Sequence, residues 1–372
     1  MGDTYRYSSK WYNSLINFIG KKKVIKKLVY IAVMALLLSC SKGGVEPLLP
    51  EGESGVPVAF SPSADWQTVS GAKSSGTKAL IEDADDLKKY SISLLGNAVR
   101  GGETYPVFKN HELSWSSSEG WHYSPTKYWI PEANYSFAAF CPYATNDESI
   151  AVSISNGNVS VSGTDSNPVI TITDYNTAHS NAKNEDLLFA KTVRDNRSSE
   201  DYSQVELQFE HLLSCLTFNV RNTSQDAITA VRDIALEGLL TLCDISIDLE
   251  SATVTNKTDF SYNFGGTERN GNSTNSFLPG GMGQSDFKPL FECESLTVLP
   301  QDTYNKDIIL AFTAYFGEDD TKGTPYTLNL GKIDSIRKWE KGKKYSYNIS
   351  ISSKDIIFQV VEVPWREHNV TL

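Results

Sequence analysis

An all-β fold of antiparallel β-sandwiches is predicted by three observations. Apolar and polar residues alternate over residues 345–351 and 245–249, the period of a half-buried strand. Ser, Thr, Asn, Tyr and Val are plentiful, and short apolar runs recur between turn clusters. No run between the N-terminal leader and the C-terminus keeps a 3.6-residue period beyond about two turns. A chain of 372 residues has room for two domains of about 100–200 residues each. Aromatics at 11% argue against disorder, and a net charge of −11 argues against nucleic acid as the main partner.

Residues 1–39 read as an export leader. Five lysines between Lys21 and Lys27 form a basic n-region, and residues 28–38 (LVYIAVMALLL) follow as an apolar run. Eleven helical residues cover roughly 16 Å, short of a bilayer core of about 30 Å, so the run is a signal h-region. It ends in Leu37-Leu38-Ser39-Cys40, which resembles the lipobox of bacterial lipoproteins, with Cys40 as the lipid-bearing residue. The twenty residues ahead of Lys21 do not suit a usual signal peptide and fit a translation start further along. Residues 40–372 carry 27 Lys/Arg against 44 Asp/Glu, or −17. The expected product is a soluble anionic body held to a membrane by its N-terminus.

Residues 40–55, with Gly, Pro and Ser, read as a tether. Val56, Val58 and Phe60 then alternate with smaller residues like a short edge strand, where Pro57 is tolerated. Residues 61–79 are loop-like, and residues 83–89 suit at most a short helical connector. Strand-like runs follow at 90–95, 104–108, 135–140, 169–173 and 187–190. The polar stretch 194–201 (RDNRSSED) has little to bury and sets the expected boundary, giving an N-terminal sandwich over 56–200 and a C-terminal one over 201–372. Further runs fall at 205–209, 212–220, 228–236, 241–249, 296–299, 308–316, 326–330, 345–351 and 356–363. Residues 264–283, with six Gly and three Asn, read as a long loop.

Catalytic constellations are not found in the sequence. His111, His122, His179, His211 and His368 are far apart, and His111-Glu112 lacks the second histidine of a zinc-protease motif. There is no Gly-x-Ser-x-Gly elbow and no phosphate-cradling loop; Gly280, Gly281 and Gly283 lack a strand-to-helix context. His211 reads as a partly buried hydrogen-bonding residue. Cys141, Cys215, Cys243 and Cys293 form no CxxC, so no metal is expected, and three disulfide pairings stay open. Cys243 shares a strand face with Ile245, Ile247 and Leu249, which favours a buried thiol. Trp115, Trp121, Tyr123, Tyr128 and Trp129 could form a carbohydrate platform, but they coincide with strands and turns and suit core packing better. The chain is therefore read as neither an enzyme nor a cofactor carrier.

Several segments resemble those of fimbrillin-like lipoproteins. Residues 127–131 (KYWIP) and 135–142 (YSFAAFCP) resemble the family's Trp-Pro and Tyr-x-Phe-x-Ala-aromatic-x-Pro signature. Asp186-Leu187-Leu188-Phe189-Ala190 looks like the strand closing its first domain, and residues 209–220 (FEHLLSCLTFNV) like the segment opening its second. Trp339, Gly342, Lys343, Tyr345 and Tyr347, then Val363 and Trp365, resemble its end. The resemblance runs through most of the chain from about residue 40.

This resemblance implies two transthyretin-like sandwiches and a subunit or accessory protein of type V pili on anaerobic Gram-negative bacteria. It implies lipidation at Cys40 (palmitate among the acyl chains), an outer-membrane or cell-surface location, and other fimbrial subunits as partners. It also implies that a protease removes a strand of the first domain, here Val56, Val58 and Phe60, whose groove a neighbour's strand then fills. Thr77-Lys78-Ala79 stands where the family often has Thr-Arg-Ala, so Lys78, with Lys73 upstream, is the candidate processing site. Lysine in place of arginine departs from that pattern, and no acidic export run follows Cys40. The alternative is a non-polymerising surface lipoprotein that binds a glycan or host protein. Beyond Pro364 only eight residues remain, about 26 Å if extended, and only two or three are apolar. Such a tail is a poor donor strand, which favours a tip or accessory subunit over a stalk repeat.

Overall fold

The computed structural model describes residues 55–63, 80–81, 83–150, 153–178, 185–196, 201–258, 261–270, 287–290, 295–317, 322–352 and 356–364. The leader, Cys40, the tether up to residue 54, Lys73, Lys78, Cys293 and the tail beyond Pro364 lie outside them. The first strands are β1 (Phe60–Ser63), β2 (Ile92–Arg100), β3 (Glu103–Ser116), β4 (Gly120–His122) and β5 (Asn134–Cys141). β6 (Asn158–Thr164), β7 (Asn167–Asn176), β8 (Leu188–Asp195), β9 (Val205–Gln208) and β10 (Glu210–His211) follow. Next come β11 (Ser214–Asn222), β12 (Ile228–Leu240), β13 (Leu242–Ile247), β14 (Ala252–Asn256) and β15 (Ser261–Asn270). The last are β16 (Lys288–Pro289), β17 (Leu296–Val298), β18 (Gln301–Asp302), β19 (Ile309–Phe316), β20 (Gly323–Asn329), β21 (Lys338–Trp339), β22 (Lys343–Ile351) and β23 (Ile356–Pro364). The fold is all-β, as the alternation predicts. The connector before β2 contains one helical turn, Ala84–Leu87, capped by the Asp83 carboxylate, which accepts from Asp86 N at 2.8 Å.

A six-stranded antiparallel sheet, in the order β10-β8-β5-β2-β3-β4, organises the first half. Its central strand β5 does not alternate: from Phe137 to Cys141 every residue is buried. The reason is that both faces are covered. Tyr135, Phe137, Ala139 and Cys141 join one apolar cluster with Val58, Phe60, Val205 and Leu207. Ala138 and Phe140 join another with Ile170, Ile172, Cys243 and Ile245. The second cluster belongs to a four-stranded sheet ordered β14-β13-β7-β6.

Sheet pairing crosses the expected division near residue 200 three times, first where β10 pairs with β8, Glu210 opposite Phe189. β9 runs parallel to β1, Phe60 opposite Val205 and Ser63 opposite Gln208. β13 pairs with β7, Ile245 opposite Ile172 and Ile247 opposite Ile170. A second sandwich is formed by β16-β11-β22-β23 (β17 also on β11) facing β15-β12-β19-β20, and β18 and β21 pair apart from both sheets. Its core contains Phe218, Ile234, Phe312, Tyr347 and Trp339. Phe218 stacks on Tyr347 at 4.9 Å, and Trp339 Nε1 donates to Tyr347 Oη at 2.9 Å.

The chain returns to the first sandwich over a single residue, the buried Thr241 between β12 and β13. Gln301 fastens that crossing: its Oε1 accepts from Leu240 N at 2.8 Å and its Nε2 donates to Leu240 O at 3.0 Å. Just before it, Gly238 has φ +80°, and a Cβ there would lie 2.0 Å from Asp307 O.

One element corrects the sequence reading. Residues 264–270, expected in a loop, are part of β15 and pair with β12, Phe264 opposite Leu236 and Thr267 opposite Ile234. Gly265 and Gly266 stand where that register shifts, so their weak strand propensity reflects a bulge rather than a break.

Candidate functional site: a strand seated in an aromatic groove

The segment from Val56 to Ser63 contributes its own backbone to two ladders. Val58 N donates to Lys127 O at 2.8 Å, and Trp129 N donates to Val56 O at 3.0 Å, with Pro57 bridged to Tyr128. From Ala59 onward the ladder passes to β9, where Val205 N donates to Ala59 O at 2.8 Å and Phe209 N to Ser63 O at 3.2 Å. Period-2 alternation decides which side chains enter the groove. Val58 and Phe60 are 2% and 3% exposed and Pro62 is buried, whereas Val56 is 36% exposed. Of the three residues expected to form the strand, two fill the core and the first lies at its rim.

Phe60 is the anchor. Its ring meets Phe137 at 5.4 Å and 90°, Phe108 at 5.5 Å and 64°, and Tyr123 at 6.0 Å and 68°. These are edge-to-face contacts, the arrangement that aromatic quadrupoles favour. Gly96 of β2 leaves room for them, since a Cβ there would lie 2.9 Å from the Phe137 ring and 3.0 Å from that of Phe108. The Tyr123 hydroxyl donates to Val58 O at 2.6 Å, and burial pushes its pKa up to about 12, so it stays a neutral donor.

After Ser63 the chain passes through residues 64–79, which contain Lys73 and Lys78 and lie outside the described residues. It re-enters at Leu80 and Ile81, both buried. Ile81 N donates to Asp186 Oδ2 at 3.2 Å, and His211 Nδ1 stands 2.9 Å from the same carboxylate. His211 is thus a buried hydrogen-bonding residue.

Cys141 and Cys243 are buried thiols with pKa raised by desolvation, Cys243 to about 12, and Cys215 is buried too. Of the aromatic residues considered as a carbohydrate platform, Trp129 is fully buried, and Trp121 and Tyr123 pack on the cluster around Phe60. Trp115 and Tyr128 keep a little over a third of their surface exposed. An open crevice of about 820 Å³ lies where the sandwiches meet, lined among others by Asn256, Gln301, Lys306, Lys338 and Lys341. No cluster of three or more His, Cys, Asp or Glu suited to a metal ion occurs among the described residues.

Comparison with known proteins follows the same outline. The model of a family described as fimbrillin-like matches residues 77–365. The chain belongs to the fimbrillin-like family. Among solved structures, a fimbrial protein from Bacteroides vulgatus superposes with a TM-score of 0.51 at 15% identity, covering 83% of this chain and 99% of that one. A candidate cell adhesion protein from Bacteroides uniformis gives 0.47 at 16% identity, covering 83% and 99%. The first of these shows the sandwich fold. No curated protein matches in sequence. In this fimbrillin-like chain, β1 precedes the matched residues while Phe108, Tyr123 and Phe137 of its seat lie within them.

Sequence reading found the segment but ended it at Phe60, where β1 begins and continues through Ser63 into residues expected to be loop. It did not find the seat. Val205, Leu207 and Phe209 alternate visibly, yet nothing local says that they pair with residues about 145 positions earlier.

Proposed function

We propose that this fimbrillin-like protein is a structural subunit of a cell-surface fimbria, joined to its neighbours by exchange of the strand at residues 56–63. The supporting observation is the seat itself. A short segment, held by two backbone ladders and one aromatic anchor, packs beside β9 over one face of the six-stranded sheet. It continues into a stretch bearing Lys73 and Lys78, the proposed processing sites. Once it is cut free, the exposed groove would favour another alternating strand. An acceptor role, at the tip or in an accessory position, is part of this proposal. A catalytic role finds no support in the family or in the groove chemistry.

The test is cleavage by a lysine-specific protease followed by addition of a labelled peptide of residues 55–63. The cut protein is expected to take up the peptide and to remain monomeric with it. Homopolymers formed without peptide would move the protein to the stalk. A cut protein that keeps its own segment, stays monomeric and retains glycans would support the surface-binding alternative.

Anchoring is a separate part of the proposal. Cys40 is taken as the acylated residue and the outer membrane as its support. Cys40→Ser is expected to abolish metabolic labelling with palmitate and to shift the protein from the membrane fraction to the soluble one. Labelling that persists in the variant would exclude Cys40 as the lipid site.

A further inference from the structure

Two stretches of chain flank residues 64–79, and they are held by different chemistry. Segment 56–63 relies on backbone ladders and apolar side chains. On the other side, Ile81 is fixed by a carboxylate that is itself fixed. Asp186 and His211 are 2% and 3% exposed, and each belongs to the body of the first sandwich. Asp186 directly precedes Leu187 and β8, and His211 lies in β10 opposite Leu188. Leu212 N donates to Leu187 O at 2.8 Å, which ties the two backbones together beside the pair. A carboxylate this buried needs donors. It accepts from the Ile81 amide at 3.2 Å and from the His211 ring at 2.9 Å. The neighbouring Glu185 is occupied elsewhere, accepting from Ser155 N at 2.9 Å and Tyr175 Oη at 3.2 Å. Asp186 reaches across to the strand-bearing end of the chain.

We propose that Asp186 and His211 are positioning residues that clamp Leu80–Ile81 to the body, so that segment 56–63 can leave its groove while the chain from residue 80 stays in place. This rests on the strand-exchange reading above and adds a boundary to it: the exchangeable part ends before Leu80. Ile81 belongs to the same apolar cluster as Phe60. Without the clamp, its departure with the strand would open a second hole in the core and spoil the groove for an incoming strand.

Hydrogen exchange read by mass spectrometry on the full chain, uncut and cut by the lysine-specific protease, gives the test. In the wild type, cutting is expected to leave protection at Leu80–Ile81 unchanged while protection at 56–63 falls. Asp186→Asn replaces a charge-assisted bond by a neutral one. It is expected to speed exchange at Ile81 by about ten- to a hundred-fold, with the second sandwich unaffected. His211→Gln should act in the same direction. A merely structural role would lower protection throughout the first sandwich together.

Two outcomes would overturn the clamp: protection at Ile81 lost with that at 56–63 in the cut wild type, or Ile81 unchanged in the folded Asp186→Asn variant. Should that variant not fold, the cut wild type still decides. Failure of strand exchange itself would appear differently, as a cut wild type that keeps segment 56–63 and refuses the labelled peptide while Ile81 still responds to Asp186→Asn in the uncut chain.

Discussion

Replacing Phe60 by alanine is expected to destabilise the first sandwich by about 3–5 kcal/mol, the usual cost of deleting a buried aromatic ring. The ring is 3% exposed and touches three others, so its removal leaves a cavity among Phe108, Tyr123 and Phe137. Phe108 and Phe137 sit on β3 and β5, each paired to β2, and Tyr123 on the chain between β4 and β5, so the surroundings can collapse only partly. Because β1 is short and its ladders are few, the loss should appear first as local opening of 56–63. A cost of that size raises the opening equilibrium by roughly 100- to 1,000-fold or more. Phe60→Leu, closer in volume, should cost about 1–1.5 kcal/mol. Denaturant unfolding combined with hydrogen exchange at Val58 and Phe60 measures both. Unchanged protection in Phe60→Ala would show that the ring does not hold the segment.

Gly238→Ala is expected to be comparably damaging, at about 2–5 kcal/mol, through a different cause. The backbone there is left-handed, with φ +80°, and a Cβ would lie 2.0 Å from the carbonyl oxygen of Asp307. The neighbour is backbone and cannot swing aside as a flexible side chain would. Strain in φ and the forced shift of the Asp307 loop add together. Gly317 is the control, since its φ is +73° but nothing lies within 4 Å of a Cβ. Gly317→Ala should cost only about 1 kcal/mol. Equal midpoints for the two variants in thermal unfolding would show that close packing at Gly238 does not matter.

The strands that could be read in advance are those with one face wet. β22 and β13 show it, because Tyr345, Tyr347, Ile349 and Ile245, Ile247 point to a core while residues between them meet solvent or polar neighbours. β5 hides its period because β1 and β9 cover one face and β7 and β13 the other. β6 escaped notice for the opposite reason: it is an edge strand with only Val159 buried. The candidate strand was legible as Val-x-Val-x-Phe, but its groove is assembled from residues 108, 123, 137 and 205, and long-range pairing leaves no local trace. Likewise Asp186 looked like part of a family motif, and only the fold brings it to Ile81, 105 residues away.

The one-residue passage at Thr241 bears on how the body would respond to tension. Two sandwiches joined by a single linker would separate under load, with the linker as a slack spring. Here the backbone passes between the sandwiches after β10, at Thr241 and again after β14. The β13–β14 hairpin is stitched to β7 through residues 242–247. Pulling the sandwiches apart would have to strip that hairpin from β7 against the Gln301 fastening, with several hydrogen bonds strained together. The body should transmit force as one stiff piece, and extension under load should begin at the seated strand before it reaches the junction.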